Sequence, residues 1–453
     1  MMLNEPLVTV YVTNYNYASY IRQSLDSLYS QTMKDFEVII IDDGSVDDSK
    51  SIIEEYSNRA RVVFQKNKGL NVSNNIALRM AAGKYIMRLD ADDYLCPNAL
   101  EMMSDKLERD TELGLVFPDY EMVDKDGYLI NIQKRHDFSK DVKVYDQPAH
   151  GACTMIRTEF LRNLGGYDER YRCQDGYELW IKFTAKYKVT NINVPLFYYR
   201  QHGDNLTSNE DRILGTRMLI KSNFAAEHLQ SYNAIAIVPV RGESQKSLHI
   251  ANYKLGDKSL LENKVDTLLK SNRIEKVVVT TSDKDIVEKI RKIYHNVKKV
   301  VVVKRPKELE RMNISLYETI EYMKRKVALE SFTSVLVASL EFPFITPEMI
   351  DDVINSLFIY KSDSVISVRP IENTIYQHDG EGMKPIVDPI KVARIEREEM
   401  YKYSGGLIAA KIRSLKKYRT LICGKVSHIV ISQKASLGLK TNLDLEIAQK
   451  LIS

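Results

Sequence analysis

At 453 residues, 44% hydrophobic and 28% charged, the chain has the composition of a soluble globular protein and length enough for two or three domains. Its formal net charge of +4 is small for that length, and Lys and Arg are scattered rather than gathered on one stripe, so nothing argues for nucleic acid. Weak attraction to an anionic membrane surface stays open. The four cysteines, Cys96, Cys153, Cys173 and Cys423, have no Cys-x-x-Cys spacing and no partner histidines at zinc-site intervals. Reduced thiols in a cytosolic protein are the simplest reading. The N-terminus lacks a basic segment followed by an apolar one, and no apolar run approaches the roughly 18 residues needed to span a bilayer.

Val8 to Val12 is an apolar strand leading into the polar turn Thr13-Asn14-Tyr15-Asn16. Tyr20 to Tyr29 has helical spacing, with Ile21, Leu25 and Leu28 on one face. Phe36 to Ile41 is a second strand, apolar enough to be buried on both sides, and it ends in Asp42-Asp43-Gly44-Ser45. A helix follows, with Asp47 and Asp48 near its start, where acids suit the dipole. Arg61 to Gln65 is a strand, Asn67-Lys68-Gly69 a turn, and Val72 to Ala82 a helix that Gly83 ends as a C-cap. Strand Tyr85 to Leu89 then delivers Asp90, Asp92 and Asp93 at its C-terminal end. Ligands of open α/β sheets collect there. Acids packed this closely repel one another, and a hard divalent cation with oxygen ligands relieves the repulsion. For an isolated Asp-x-Asp-Asp a solvated acidic turn is the commoner outcome, but the flanking residues tip the balance to function. The alternation of strand and helix predicts a parallel sheet with helices on both faces.

This stretch resembles the start of a family 2 glycosyltransferase with the nucleotide-sugar-binding GT-A fold. The matching pieces are Tyr15-Asn16, Gln31-Thr32, Asp42 to Ser45, Asn67-Lys68-Gly69, Asn74-Asn75, Gly83 to Ile86 and Leu89 to Asp93, in the family's order and spacing. Thr13 departs from the proline of many members. The resemblance implies a nucleotide-sugar donor, probed by Tyr15 stacking on a uracil, Asp43 accepting from a pyrimidine N–H, and Thr13 adding a contact. It also implies Mn²⁺ or Mg²⁺ on Asp92, with Asp90 on the ribose or a metal-bound water and Asp93 in a structural role.

Asn98 to Leu107 is a helix, Leu113 to Phe117 a strand, and Asp124 to Gly127 a hairpin turn before Tyr128-Leu129-Ile130. The polar segment His136 to Gln147 is a candidate lining for an acceptor cleft. After His150-Gly151-Ala152 come a helix, Arg157 to Leu164, the turn Gly165 to Glu169, and a helix holding the only tryptophan, Trp180. The family carries Gly-Gly-Tyr-Asp-Glu and then an acid five residues before Trp. That acid is Asp175, the general base in inverting members; an acceptor hydroxyl must lose its proton as it attacks. Many members have Glu-Asp where this chain has Asp175-Gly176. Glu178 is either a solvated helix-face acid or an acceptor contact. Phe197 to Gln201 is a strand ending at His202, which heads a family-like His-Gly-Asp-Asn-Leu-Thr run. His202 either ligates the metal or contacts the diphosphate. Arg212 to Gln230 is a helix that closes the first domain.

The alternation restarts at Ala234, with strands at Ala234 to Val238, Lys276 to Thr280, Val300 to Val303, Ser334 to Ala338 and Ser364 to Val368. Helices are expected at Leu260 to Leu269 and Asp283 to Tyr294. This half resembles the cytidylyltransferases that activate sialic and related nonulosonic acids. Its matching pieces include Pro239 to Gly242, Gly256-Asp257-Lys258, Arg305-Pro306, Ser404-Gly405-Gly406 and Leu443-Asp444. The resemblance fails where the chemistry is needed. Arg241-Gly242-Glu243-Ser244 puts an acid into the phosphate loop, and Gly438 and Lys440 stand where the family has two metal-binding aspartates. A Lys about 4 Å from an ion repels a single positive charge by roughly 4 kcal/mol at an effective dielectric near 20. Arg241 and Lys440 are left as candidates for holding a nucleotide or sugar phosphate without reaction, with a surface Lys440 on an edge strand as the plain alternative.

Together the expectation is an α/β chain with two nucleotide-binding-type mixed sheets flanked by helices: a GT-A domain over 1–231 and a cytidylyltransferase-like domain over 232–453. The expected activity is metal-dependent, inverting transfer from a UDP-linked sugar to a glycan or lipid-linked acceptor. The protein would be cytoplasmic, with a place at the inner face of the membrane left open. The second domain is expected to be inactive. Its rivals are a bifunctional enzyme and a module for homo-oligomerisation or sugar-nucleotide sensing.

Overall fold

The computed structural model describes residues 5–134, 146–202, 210–229, 231–240, 250–311, 313–371, 375–386 and 400–452. Contacts divide the chain into one unit of Met1–Arg217 with Asn373–Glu398 and another of Met218–Glu372 with Glu399–Ser453. Of the candidate cleft segment His136 to Gln147, residues 136–145 lie outside the described residues, as does most of the run after His202.

The first unit runs β1 (Val8–Asn14), α1 (Ala18–Tyr29), β2 (Phe36–Asp42), α2 (Ser49–Glu54), β3 (Arg61–Phe64), α3 (Leu70–Met80), β4 (Tyr85–Asp90) and β5 (Tyr94–Leu95). It continues with α4 (Ala99–Arg109), β6 (Leu113–Val123), β7 (Leu129–Gln133), β8 (Met155–Arg157), α5 (Thr158–Asn163), α6 (Asp175–Lys186) and β9 (Lys188–Arg200). The next helix, α7 (Glu210–His228), contains the boundary between the units. The strand order is β3-β2-β1-β4-β8-β6-β9-β5, with β7 added to β6.

Two-residue periodicity builds the core. Val8, Val10, Val12, Val38, Ile40, Met87 and Leu89 pack on Ile21, Leu25 and Leu28 of α1 and on α4. The alternate residues Tyr11, Ile39, Ile41 and Ile86 pack on α3 and on Leu179, Trp180 and Phe183 of α6. Strands so buried on both faces belong at the centre of a sheet covered by helices.

The parallel pairing expected from the alternation is correct for β3, β2, β1 and β4, and β6 also runs parallel to β9. Beyond β4 the sheet is mixed: β8 lies antiparallel to both β4 and β6, and β5 antiparallel to β9. Three residues are too few for β8 to show a period. β6 and β9 are longer than expected because Pro118 and Pro195 interrupt their patterns, and both prolines sit where the register shifts.

Gly83 is not a C-cap. Helix α3 ends at Met80 and Ala81 is already extended. A Cβ on Gly83 would stand 2.4 Å from the Thr9 backbone nitrogen, and the Gly83 N–H donates to Thr9 Oγ1 at 2.9 Å. The residue is glycine because the chain passes against β1 there.

The second unit contains β10 (Ala234–Pro239), the short pair β11 (Lys254–Leu255) and β12 (Lys258–Ser259), α8 (Leu260–Leu269), β13 (Ile274–Thr281), α9 (Lys284–Ile293), β14 (Val300–Lys304), α10 (Leu316–Met323) and β15 (Ser334–Ala338). Then follow α11 (Pro347–Ile359), β16 (Ser364–Pro370), the hairpin β17 (Tyr376–His378) and β18 (Met383–Pro385), β19 (Tyr401–Lys411), α12 (Ile412–Tyr418), β20 (Val426–Val430) and α13 (Asn442–Lys450). Its sheet runs β14-β13-β10-β15-β19-β16-β20, with β19 antiparallel to both neighbours. The β17–β18 hairpin groups with the first unit. Among the described residues no helix is long and apolar enough to cross a membrane, and all four cysteines are free thiols.

Gly83→Ala is expected to destabilise the first unit by about 1–3 kcal/mol, the usual cost of overpacking. Gly215→Ala, in helix α7 with open space around it, should instead stabilise by roughly 0.4–1 kcal/mol. Urea denaturation of the two variants beside the parent measures both.

Candidate active site

The register of three parallel strands assembles the site. Thr13 lies beside Asp90, and Asn14 beside Asp42, at the carboxyl ends of β1, β4 and β2. This is the switch point of the sheet, since β2 and β3 extend to one side of β1 and β4 to the other. Thr13 Oγ1 donates to Asp90 Oδ1 at 3.0 Å, and Asn14 Nδ2 donates to Asp42 Oδ2 at 2.7 Å and to Ser45 Oγ at 3.0 Å. The β1–α1 and β2–α2 turns are thereby tied together, with Tyr15 half exposed on the first.

Asp43 is buried and already holds the turn before α3. It accepts from Gln65 Nε2 at 2.7 Å and from the backbone N–H groups of Lys68 at 2.9 Å and Gly69 at 2.8 Å. Two of these bonds fall on Oδ1 and one on Oδ2, so a lone pair of Oδ2 stays available for a base N–H.

Arg88, one turn of the pleat before Asp90, is buried between two acids. Its Nη1 donates to Asp175 Oδ2 and its Nε lies 2.9 Å from Asp90 Oδ1. Asp175 is the first residue of α6, after Gln174, which takes a left-handed conformation with φ 64°. Arg217 Nε donates to Gln174 Oε1 at 2.7 Å and fixes that turn. Burial, with Asp92 and Asp175 nearby, pushes the Asp90 carboxyl up to about 6 against the pull of Arg88.

Asp92 and His202 meet: His202 Nε2 is 2.9 Å from Asp92 Oδ2, and both side chains are almost wholly buried. The rings of Tyr17 and Tyr20 pack on the imidazole at 5.4 and 5.6 Å. Asp93 is enclosed by the fold. It is 1% exposed, accepts from the Arg200 N–H at 2.9 Å, and burial beside Asp92 and Asp90 pushes its carboxyl well up. Among the described residues no group of three or more His, Cys, Asp and Glu forms a metal cage. A carboxylate and an imidazole fit an ion that takes its remaining ligands from water and a substrate diphosphate.

Two features escaped the sequence reading, and a third bears on Glu178. Arg200 is 2% exposed and orders the acidic turn by donating to the Asp92 carbonyl at 3.0 Å while stacking over Tyr20 at 4.7 Å. Gly151 and Gly176 face each other: a Cβ on Gly176 would lie 2.8 Å from Gly151 Cα. That contact explains why this chain has glycine where many relatives have a second acid. Glu178, finally, is not the solvated acid that was one of its two expected roles. It is 3% exposed and ion-paired with Lys182, and burial raises its carboxyl.

In the second unit Arg241 lies outside the described residues. Lys440 is exposed and sits in the loop before α13, not on an edge strand. Its N–H donates to Asp444 Oδ2 at 2.9 Å, and Asp444 is occupied in a capping box with Thr441. Phe342, just beyond the carboxyl end of β15, packs its ring where Cβ atoms on Gly405, Gly406 and Gly438 would stand, at 3.1, 3.3 and 3.1 Å. Its carbonyl accepts from the buried Lys264 Nζ at 2.7 Å, and burial lowers that amine to about 7.

Against known proteins, a family model described as glycosyl transferase family 2 matches residues 9–165. An uncharacterized glycosyltransferase of Methanocaldococcus jannaschii is 32% identical over 209 residues, which cover 44% of this chain and 72% of that protein. The chain belongs to glycosyltransferase family 2. A second family model, described as cytidylyltransferase, matches residues 235–400, so the glycosyltransferase half is joined to a domain of that type. Escherichia coli chondroitin synthase is 32% identical over 203 residues, 44% of this chain and 30% of that protein. Pasteurella multocida hyaluronan synthase is 34% identical over 205 residues, again 44% of this chain and 21% of that protein. The chain thus spans less than a third of the length of these two synthases.

Proposed function

We propose that the first domain, residues 1–231, is a metal-dependent inverting glycosyltransferase that moves a sugar from a UDP-linked donor to a glycan or lipid-linked acceptor. The observation that carries this reading is the convergence at one end of β4: Asp92 paired with His202, and Asp175 paired through Arg88 with Asp90. Tyr15, Asp43 and Thr13 contact the nucleotide, and Asp90 contacts the ribose or a metal-bound water. Asp92 and His202 would hold the cation. When bound, the ion supplies positive charge to the diphosphate oxygens. Asp175 takes the proton from the acceptor hydroxyl while that oxygen attacks the anomeric carbon from the face opposite the departing diphosphate. Arg88 occupies Asp175 Oδ2, and Oδ1 carries no hydrogen bond among the described residues, so Oδ1 is the oxygen offered to the acceptor. The names of the chondroitin and hyaluronan synthases are in keeping with a glycan as the acceptor.

We assign the second domain no cytidylyltransferase activity. Lys440 and Gly438 supply no metal ligand, Asp444 is taken by a helix cap, and Phe342 fills space beside Gly438. The rival reading is a bifunctional enzyme, and the cytidylyltransferase family match over 235–400 favours it.

A mass-spectrometric screen of UDP-, GDP-, dTDP- and CMP-sugars identifies the donor. With that donor, Asp92→Asn should lower turnover by several orders of magnitude, and EDTA should abolish it in the parent; full activity in either case removes the metal claim. Asp175→Asn should lower kcat by about 10²–10⁴-fold, the range for losing general base catalysis, with affinity for UDP unchanged. NMR of the product should show an inverted anomeric centre, and retention rules out single displacement. Incubating the full chain with CTP, Mg²⁺ and nonulosonic acids should release no pyrophosphate above a no-sugar control. Metal-dependent release would establish the bifunctional reading.

A further inference from the structure

We propose that Arg88 is a positioning residue of the transfer reaction, setting the orientation of Asp175 and tying it to Asp90. The proposal rests on the reading of Asp175 as general base. Arg88 is 5% exposed and uses different edges of one planar guanidinium for its two partners. Nη1 engages Asp175 Oδ2, Nε lies 2.9 Å from Asp90 Oδ1, and Nη2 donates to Asp90 Oδ2 at 3.4 Å. A rigid fork of this kind fixes the angle between two carboxylates, which a Lys point charge on a flexible stem does not.

The surroundings are built to let the pair close. A Cβ on Gly151 would stand 2.8 Å from Arg88 Nη2 and 3.0 Å from Asp175 Oδ2, and Gly176 packs against the same glycine. Asp175 comes from α6 and Asp90 from β4, elements that are distant in sequence, so the guanidinium links the acceptor side of the site to the donor side. With Oδ2 held, Asp175 presents Oδ1 in one orientation. A base mis-set by about 1 Å loses on the order of 10²-fold in rate.

Arg88→Lys keeps the charge and removes the fork. In the full chain, with the donor chosen by the screen, it should lower kcat about 10²-fold, with a smaller change in the affinity for Mn²⁺–UDP measured by calorimetry. In an Asp175→Asn background the same substitution should cost nothing further. Parental kcat in Arg88→Lys overturns the proposal, because charge alone then suffices. An equal fold loss in both backgrounds also overturns it, since Arg88 would then act elsewhere, and it leaves the base assignment standing. Parental kcat in Asp175→Asn alone removes the base assignment itself. If Arg88→Lys does not fold, Gly151→Ala serves in its place. It retains both partners and adds a methyl group against them, so a fall in kcat is expected and an unchanged kcat overturns the proposal.

Discussion

One buried guanidinium governs the electrostatics of the catalytic end of the first sheet. Asp92, Asp93 and Asp175 are buried near it and Asp90 is partly so, and two carboxylates about 4 Å apart repel by roughly 4 kcal/mol at an effective dielectric near 20. Arg88 offsets part of that repulsion by pairing with Asp90 and Asp175. Asp93 escapes it differently, since burial and neighbouring acids favour its neutral form. Asp92 has the imidazole of His202 beside it. Each acid thus has its own compensation, and a diphosphate-bound cation would add to the one at Asp92. Removing the buried cation would leave uncompensated charge, which is why such pairs are costly to break even where they contribute little net stability.

The same arrangement explains which parts of the site were legible in the sequence. The acids Asp90, Asp92 and Asp93 announce themselves because they are adjacent, and the strand before them is apolar on both faces. Asp175 was singled out only through the family resemblance, as the acid five residues before Trp180, whose ring packs edge-on against Phe117 at 5.7 Å. What joins these pieces is not local. Arg88 meets an acid 87 residues away, and Arg200 meets Asp93 across 107 residues. No periodicity reports such a contact. Gly151 and Gly176 were equally silent, because the reason for each glycine is the backbone of the other.

The fold was legible to the same extent and for the same reason. Strands β1, β2 and β4 and helices α1 and α3 follow from runs whose apolar period is intact. Strand β8 was lost because three residues carry no period, and most of β6 and β9 because prolines break theirs at the register shifts. Gly83 shows how a glycine after a helical pattern misleads. Glycine is expected both at a left-handed C-cap and at a close backbone crossing, and only the packing against Thr9 separates the two.

The second half shows that a sheet of nucleotide-binding type does not settle what is done there. Both units place a buried parallel core strand before a loop where ligands of such sheets collect, β4 in the first and β15 in the second. After β4 the chain offers carboxylates, with an Arg and a His as counterparts. After β15 it offers Phe342, an aromatic ring set against three glycines, with its carbonyl bound by a buried lysine. Such packing is apolar where the first unit is charged, and Asp444 is committed to the first turn of α13. Function resides in such sites and not in the scaffold that carries them.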